Sequence, residues 1–298
     1  MKANLFLLTA AIFWGLNFHF AKFMLGESTF IEAGSWRYIF GVVAIVLILL
    51  GTAKMKPSTA IPYKGIFLVG FIGLFGFNML FFSGLQFTSA LNASLIVSLN
   101  PITTILLSAL ILKTQISRMH VLGAIISFFG VLVLLTQGSF EKLAELDLNK
   151  GDLMIFGSNI VFALHHVWVK QYKKAFSNLH FTVYTNLICL LGFLAVSLFT
   201  QNTIHIDHSN YYWLWATGIG VFGTGIAYIL WNSGVSQVGA ASAGIFMNAV
   251  PLATAIGSLI LGLEIQYFHY LSAAIIILGI TISRITKKAK EPTYLPSN

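Results

Sequence analysis

The sequence predicts an all-α integral membrane protein, with ten transmembrane helices arranged as two inverted five-helix repeats. Three observations predict it. Apolar residues make up 57% of the 298-residue chain and charged residues only 9%, against roughly 25% charged in ordinary globular proteins. No charged residue falls between Lys64 and Lys113, and none between Asp207 and Glu264, a gap with only His208 near its start. Each gap holds a pair of apolar stretches of about 20 residues, the length a helix needs to cross a bilayer. Finally, residues 70–112 align without a gap onto residues 220–262.

The apolar runs are continuous rather than alternating, which selects helices over a barrel, the two structures that satisfy every backbone group in lipid. The expected spans are roughly 4–25, 31–51, 65–85, 89–112, 118–137, 151–172, 180–200, 212–235, 240–263 and 267–286. The first apolar run continues beyond the short apolar region of a signal peptide, so it reads as an uncleaved span. The chain divides into a first repeat (1–137), an external loop (138–150), a second repeat (151–286) and a polar tail (287–298).

Charge sets the orientation. With the N-terminus in the cytoplasm, Lys2, Lys54, Lys56, Lys64, Lys113, Arg118, Lys170, Lys173, Lys174, Arg284, Lys287, Lys288 and Lys290 lie inside, 13 of 17 basic residues. Lys22, Lys142 and Lys150 fall outside and Arg37 lies within a span. Excess Lys and Arg on the cytoplasmic side is the expected bias. It explains the net charge of +8 without invoking nucleic acid, and it places the chain in the inner (plasma) membrane with both termini cytoplasmic.

The repeat is detailed. Gly70 aligns with Gly220, Gly73 with Gly223, Ser83-Gly84 with Ser233-Gly234, Ala93 with Ala243 and Pro101 with Pro251. One deletion later His120 aligns with His269, and at a spacing of 148 Leu16 and Lys22 align with Leu164 and Lys170. Five spans is an odd number, so the second copy enters the membrane upside down. Inverted repeats are a recurring plan of secondary transporters, with the solute held near the midplane between the halves.

WGLNFHFAK at 14–22, followed by Arg37, GLQFTSALNASLIVSLNP at 84–101, its second copy GVSQVGAASAGIFMNAVP at 234–251, and LGLEI at 261–265 together resemble the EamA-type transporters of the drug/metabolite transporter superfamily. The resemblance covers nearly the whole chain. It implies ten helices and transport of small organic solutes, usually out of the cytoplasm. Two departures are LKTQIS at 112–117, where the family often has Glu after Gly, and Thr29-Phe30-Ile31, which lacks a frequent Pro.

Candidate substrate-binding residues follow from matched faces. Ser94, Ser98, Pro101 and Ile105 share one helical face, and Gly244, Asn248, Pro251 and Ala255 form its counterpart. A proline inside a helix removes a backbone bond and kinks it, so Pro101 and Pro251 are expected as hinges that widen a cavity. Trp14 and Asn17 on the first span match Phe162 and His165 on the sixth; intramembrane polar and ionisable residues are functional candidates by default. Phe75, Asn78 and Phe82 match Gly225, Tyr228 and Asn232, with Phe81 and Trp231 adjacent. Aromatic rings with a few amides suit a flat or apolar solute. Each stripe has a plainer reading as packing or interhelical hydrogen bonding. Arg37 has three readings: a structural anchor on carbonyls, a partner of Glu32, or a contact for an anionic solute.

Other classes are excluded or left as rivals. All nine acids lie in loops, tails or span ends, which speaks against a carboxylate proton relay and for uniport or exchange. GIGVFG at 218–223 matches a dinucleotide fingerprint but lies inside a span, where small residues serve close packing. Neither a metal set nor a nucleophile with its base converges, so no enzyme, cofactor or metal site is expected. Cys189 is the sole cysteine, so no disulfide framework forms. The expected solutes are amino acids, aromatic or large apolar ones preferred, moved by alternating access. A drug, a nucleobase-like or cofactor-like metabolite, or a flipped lipid is the alternative. The partners are the solute and the bilayer, with a monomer expected and a homodimer the alternative.

Overall fold

The computed structural model describes residues 2–52, 60–88, 93, 96–139, 141–144, 149–200, 204–260, 262 and 266–283. Ser94, the tail and most of LGLEI lie outside these. The described residues form helices and connecting turns, with no strand among them. We label α1 (Lys2–Leu25), α2 (Phe30–Gly51), α3 (Tyr63–Leu85), α4 (Asn100–Leu112), α5 (Arg118–Thr136), α6 (Lys150–Lys173), α7 (Asn178–Phe199), α8 (Asn210–Val238), α9 (Ala240–Gly244, Ile245–Asn248 and Ala249–Ile260) and α10 (Tyr267–Ser283). Among the described residues, eight helices are long and apolar enough to cross a membrane, and α4 and α10 are shorter apolar helices. Their outward faces are apolar, as at Leu110, Leu198 and Phe129, which lipid requires.

Caps fit the polar edges of the spans. Thr29, Ser117 and Ser209 cap α2, α5 and α8 with their hydroxyls, and Asn149 with Asp152 forms a reciprocal capping box on α6. Asp152 also accepts a hydrogen bond from Thr88. Among the described residues the two buried acids, Glu32 and Asp152, thus sit in first turns rather than at depth.

Both α3 and α8 contain a π-helical stretch, Leu68–Gly76 and Ile219–Ile226. The amides of Phe77 and Ala227 each reach a carbonyl five residues back, Ile72 and Phe222. These wide turns coincide with the aligned glycines, and π turns inside α-helices are often associated with function. The GIGVFG stretch belongs to one of them and packs against α2: a Cβ on Gly220 would meet Arg37 O at 2.9 Å and Gly41 N at 3.1 Å. Between α5 and α10, Gly123 and Gly279 bring the backbones into similar proximity.

The two prolines occupy a different place from the expected mid-helix kink. A turn at residues 98–99 interrupts the chain, and Pro101 lies in the first turn of α4. In α9 a 3₁₀ segment, Ile245–Asn248, precedes Ala249–Ile260, and Pro251 lies in that first turn. There the missing amide costs nothing, because the first helical amides have no intrahelical partner.

Candidate substrate cleft and buried polar core

A cleft of about 700 Å³ is lined by residues from α1, α3, α5, α9, α10 and the segment before α4. Its apolar wall includes Phe18, Phe81, Met247 and Phe268, and its polar positions are Ser98, Gln137, Thr254, Gln266 and His269. None of the lining residues carries a formal charge. They gather where α1, α3, α5 and α9 end and α10 begins, at the end of the molecule opposite Lys2.

At the other end the described residues are closely packed. A Cβ on Gly234 would press on Leu7 and Ala3, Lys170 Nζ donates to Ser236 O at 2.9 Å, and Ile105, Ala124 and Ile245 form an apolar cluster. His120 Nε2 and Ser242 Oγ share a hydrogen bond of 2.9 Å between α5 and α9.

Between the cleft and the closed end lies an aromatic core. The ring of Trp14 is 4.8 Å from Trp231, 5.3 Å from Tyr228 and 5.8 Å from Phe162. Trp14 Nε1 donates to Gly223 O at 2.9 Å, and Trp231 Nε1 donates to His166 Nδ1 at 3.0 Å. Asn17 lies against Gly223 and His165 against Gly73. Neither side-chain atom of Asn17 has a hydrogen-bond partner among the described residues, and the ring nitrogens of His165 face the Val69 backbone and the Asn232 side chain without a well-aligned hydrogen bond to either. Asn232 donates to Thr182 Oγ1 at 3.1 Å and leaves its carbonyl oxygen unpaired. Buried polar atoms without partners are uncommon and ask for an explanation.

The residues selected from the sequence therefore separate into groups. Ser98 and Pro251 line the cleft, as does Ala255. Trp14, Asn17, His165, Tyr228, Trp231 and Asn232 are buried in the core and do not line it. Asn78 donates to Tyr38 Oη at 3.2 Å and Leu74 O at 2.7 Å, while Phe82 stacks on Phe30 at 5.7 Å. Both border a void of only about 20 Å³ with Arg37, roughly the space of one water. Asn248 donates to Ser127 Oγ at 2.7 Å, away from the cleft. The tighter 3₁₀ winding before Pro251 breaks the α-helical face that would have joined Asn248 to Pro251. Pro101 is buried and outside the lining. Arg37 donates to Thr224 Oγ1 at 2.8 Å. Glu32 instead accepts from His205 N at 2.7 Å and pairs with His208 Nε2 at 2.9 Å.

Sequence reasoning missed Gln137, Gln266 and His269 as lining residues. For His269 the signal was its alignment with His120. It also missed the clasp between α4 and α6, where Asn100 Nδ2 donates to Asn159 Oδ1 at 2.9 Å and Asn159 Nδ2 donates to Thr103 Oγ1 at 3.1 Å.

The EamA-like transporter family matches residues 1–136 and 149–285. The chain belongs to that family. Among relatives of this EamA-like transporter, "Uncharacterized transporter YyaM" of Bacillus subtilis (strain 168) is 35% identical over 94% of this chain and 92% of its own length. "Uncharacterized transporter YetK" of the same organism is 25% identical over 100% and 90%. A solved crystal structure of a protein has the same fold, with a TM-score of 0.78 at 19% identity over 95% of this chain and 96% of that one. Family, relatives and apolar helices agree on a multi-pass membrane transporter of small solutes.

Proposed function

We propose that the protein is a ten-helix carrier of amino acids, aromatic or large apolar ones preferred, exporting them from the cytoplasm by alternating access as a uniporter or exchanger. The observation that carries this reading is the 700 Å³ cleft at one end of the molecule, with the described residues closely packed at the other, a volume that suits a small organic molecule. Two inverted five-helix repeats, 1–137 and 151–286, rock about the core, and Pro101 and Pro251 begin the helices that move. With both termini in the cytoplasm, the cleft faces outward from the inner membrane. Aromatic side chains of the solute fit against Phe18, Phe81 and Phe268. Trp14, Asn17, His165, Tyr228, Trp231 and Asn232 lie beneath the cleft, and the unpaired polar atoms among them become solute contacts as the closed end opens.

The test is counterflow in proteoliposomes loaded with unlabelled amino acids, following one labelled amino acid at a time. Saturable accumulation above equilibrium, reduced when Asn17 is replaced, is the expected result. Linear equilibration would indicate a channel, and lipid scrambling without counterflow a flippase.

A further inference from the structure

His120 and His269 align in the repeat, and their local structures match. Each is the third residue of its helix, α5 or α10, and each backbone amide reaches back three residues at 3.0 Å, to Ser117 O or Gln266 O. Their Nε2 atoms differ. At the closed end His120 Nε2 is bonded to Ser242 Oγ across α5 and α9. At the open end His269 lines the cleft, and its Nε2 has no partner among the described residues. Its Nδ1 accepts the backbone N–H of Gln266 at 3.0 Å. Nδ1 also lies 3.3 Å from Gln266 O, but the shorter contact makes it an acceptor; a neutral imidazole accepts at one nitrogen and donates from the other, which leaves the proton of His269 on Nε2. The Gln266 side chain, also on the lining, adds an amide to the same part of the cleft.

We infer that His269 Nε2–H is the specificity-determining donor of the cleft and binds a carboxylate oxygen of the solute. The carboxylate takes the place at the open end that Ser242 Oγ holds at the closed end. Three phenyl rings line the same cleft, so the solute is an aromatic monocarboxylate such as a zwitterionic amino acid. Without a cationic side chain in the lining, a dianion would lose its hydration without a counter-charge. This inference rests on the carrier reading of the cleft and adds which end of the solute is recognised, and by what.

The experiment is counterflow of labelled phenylalanine by the full chain, with phenethylamine and phenylalaninamide as competitors, for wild type, His269→Leu, His269→Gln and His120→Leu. A hydrogen bond to a charged group discriminates by roughly tenfold or more. His269→Leu is expected to raise KM for phenylalanine about tenfold, with the larger effect in KM rather than Vmax, and to narrow the preference for the acid over both competitors. His269→Gln, which retains an N–H donor, restores much of that preference. His120→Leu lowers turnover but keeps the preference, because Ser242 and not solute is its partner. If His269→Leu supports counterflow with the preference unchanged, or if wild type carries the amine and rejects the acid, the inference fails and the carrier stands. If folded wild type shows no saturable counterflow of acid or amine, the carrier reading fails and takes the inference with it.

Discussion

In the seam between α1 and α8, Gly223 makes room for Asn17; in the seam between α6 and α3, Gly73 makes room for His165. The positions are related by the sequence repeat, yet the room is unequal. A Cβ on Gly223 would overlap the Asn17 amide itself, whereas one on Gly73 would stand 3.0 Å from His165 Cβ. The plan of the crossing is shared and its tolerance is not. Gly223→Ala is therefore expected to be the more damaging change, towards the upper part of the 1–3 kcal/mol typical of overpacking, with Gly73→Ala nearer the lower part. Thermal unfolding of the two variants in detergent measures this. Equal losses would break the comparison and show that α1 shifts as readily as α6.

A second pair of seams differs in chemistry. α4 holds α6 through Asn100, Asn159 and Thr103. At the equivalent place in the repeat, Val250 and Ala11 stand where Asn100 and Asn159 stand, and the seam between α9 and α1 is tied by Thr254 Oγ1 to Gly15 O at 3.0 Å and by His19 Nε2 to Thr254 O at 2.9 Å. Asn100→Leu leaves the buried Asn159 amide short of a partner and is expected to cost about 1–3 kcal/mol. The double variant with Asn159→Leu recovers part of that, since two apolar partners leave less unsatisfied than one. A double-mutant cycle on thermal stability gives the coupling; additive losses would mean that the clasp holds nothing together.

The helices were legible because lipid imposes one strong constraint, a long uncharged apolar run, and this chain states it plainly between Lys64 and Lys113. The structural match between the glycine-rich turns of α3 and α8 follows the alignment of residues 70–112 with 220–262, and that between His120 and His269 follows its continuation after one deletion. Which side of a helix meets the cleft was less legible. The turn at 98–99 and the 3₁₀ segment 245–248 shift the angular register that a uniform period of 3.6 assumes, so Ser98 reaches the lining and Asn248 does not. Nor could a sequence show that the aromatic and amide residues of α1, α6 and α8 are folded together beneath the cleft rather than around it. That depends on how the helices pack at each end of the molecule, which a helical period does not specify.

The smallest expected effect concerns the loops outside the spans. Ser209 Oγ and Ser209 N donate to the Glu27 carboxylate at 2.6 and 3.0 Å, joining the α1–α2 turn to the start of α8. Those two hydrogen bonds, side chain first, with a smaller contribution from nearby His208, hold the Glu27 carboxyl below its ordinary value of 4.5. A carboxyl held lower in the folded state contributes stability that is present above its unfolded value and is lost as pH falls through the folded one. Glu27 is exposed, so solvent screening keeps the contribution small. The thermal midpoint of wild type should therefore fall slightly more than that of Glu27→Gln as pH is lowered below 4.5. The neighbouring pair of His208 with Glu32 is present in both proteins, so the difference between their pH profiles reports Glu27 together with its contact to His208. Parallel profiles would mean that the turn and α8 hold together without it, and that the Glu27–Ser209 contact, unlike the glycine seams, contributes nothing measurable to the packing of α1 on α8.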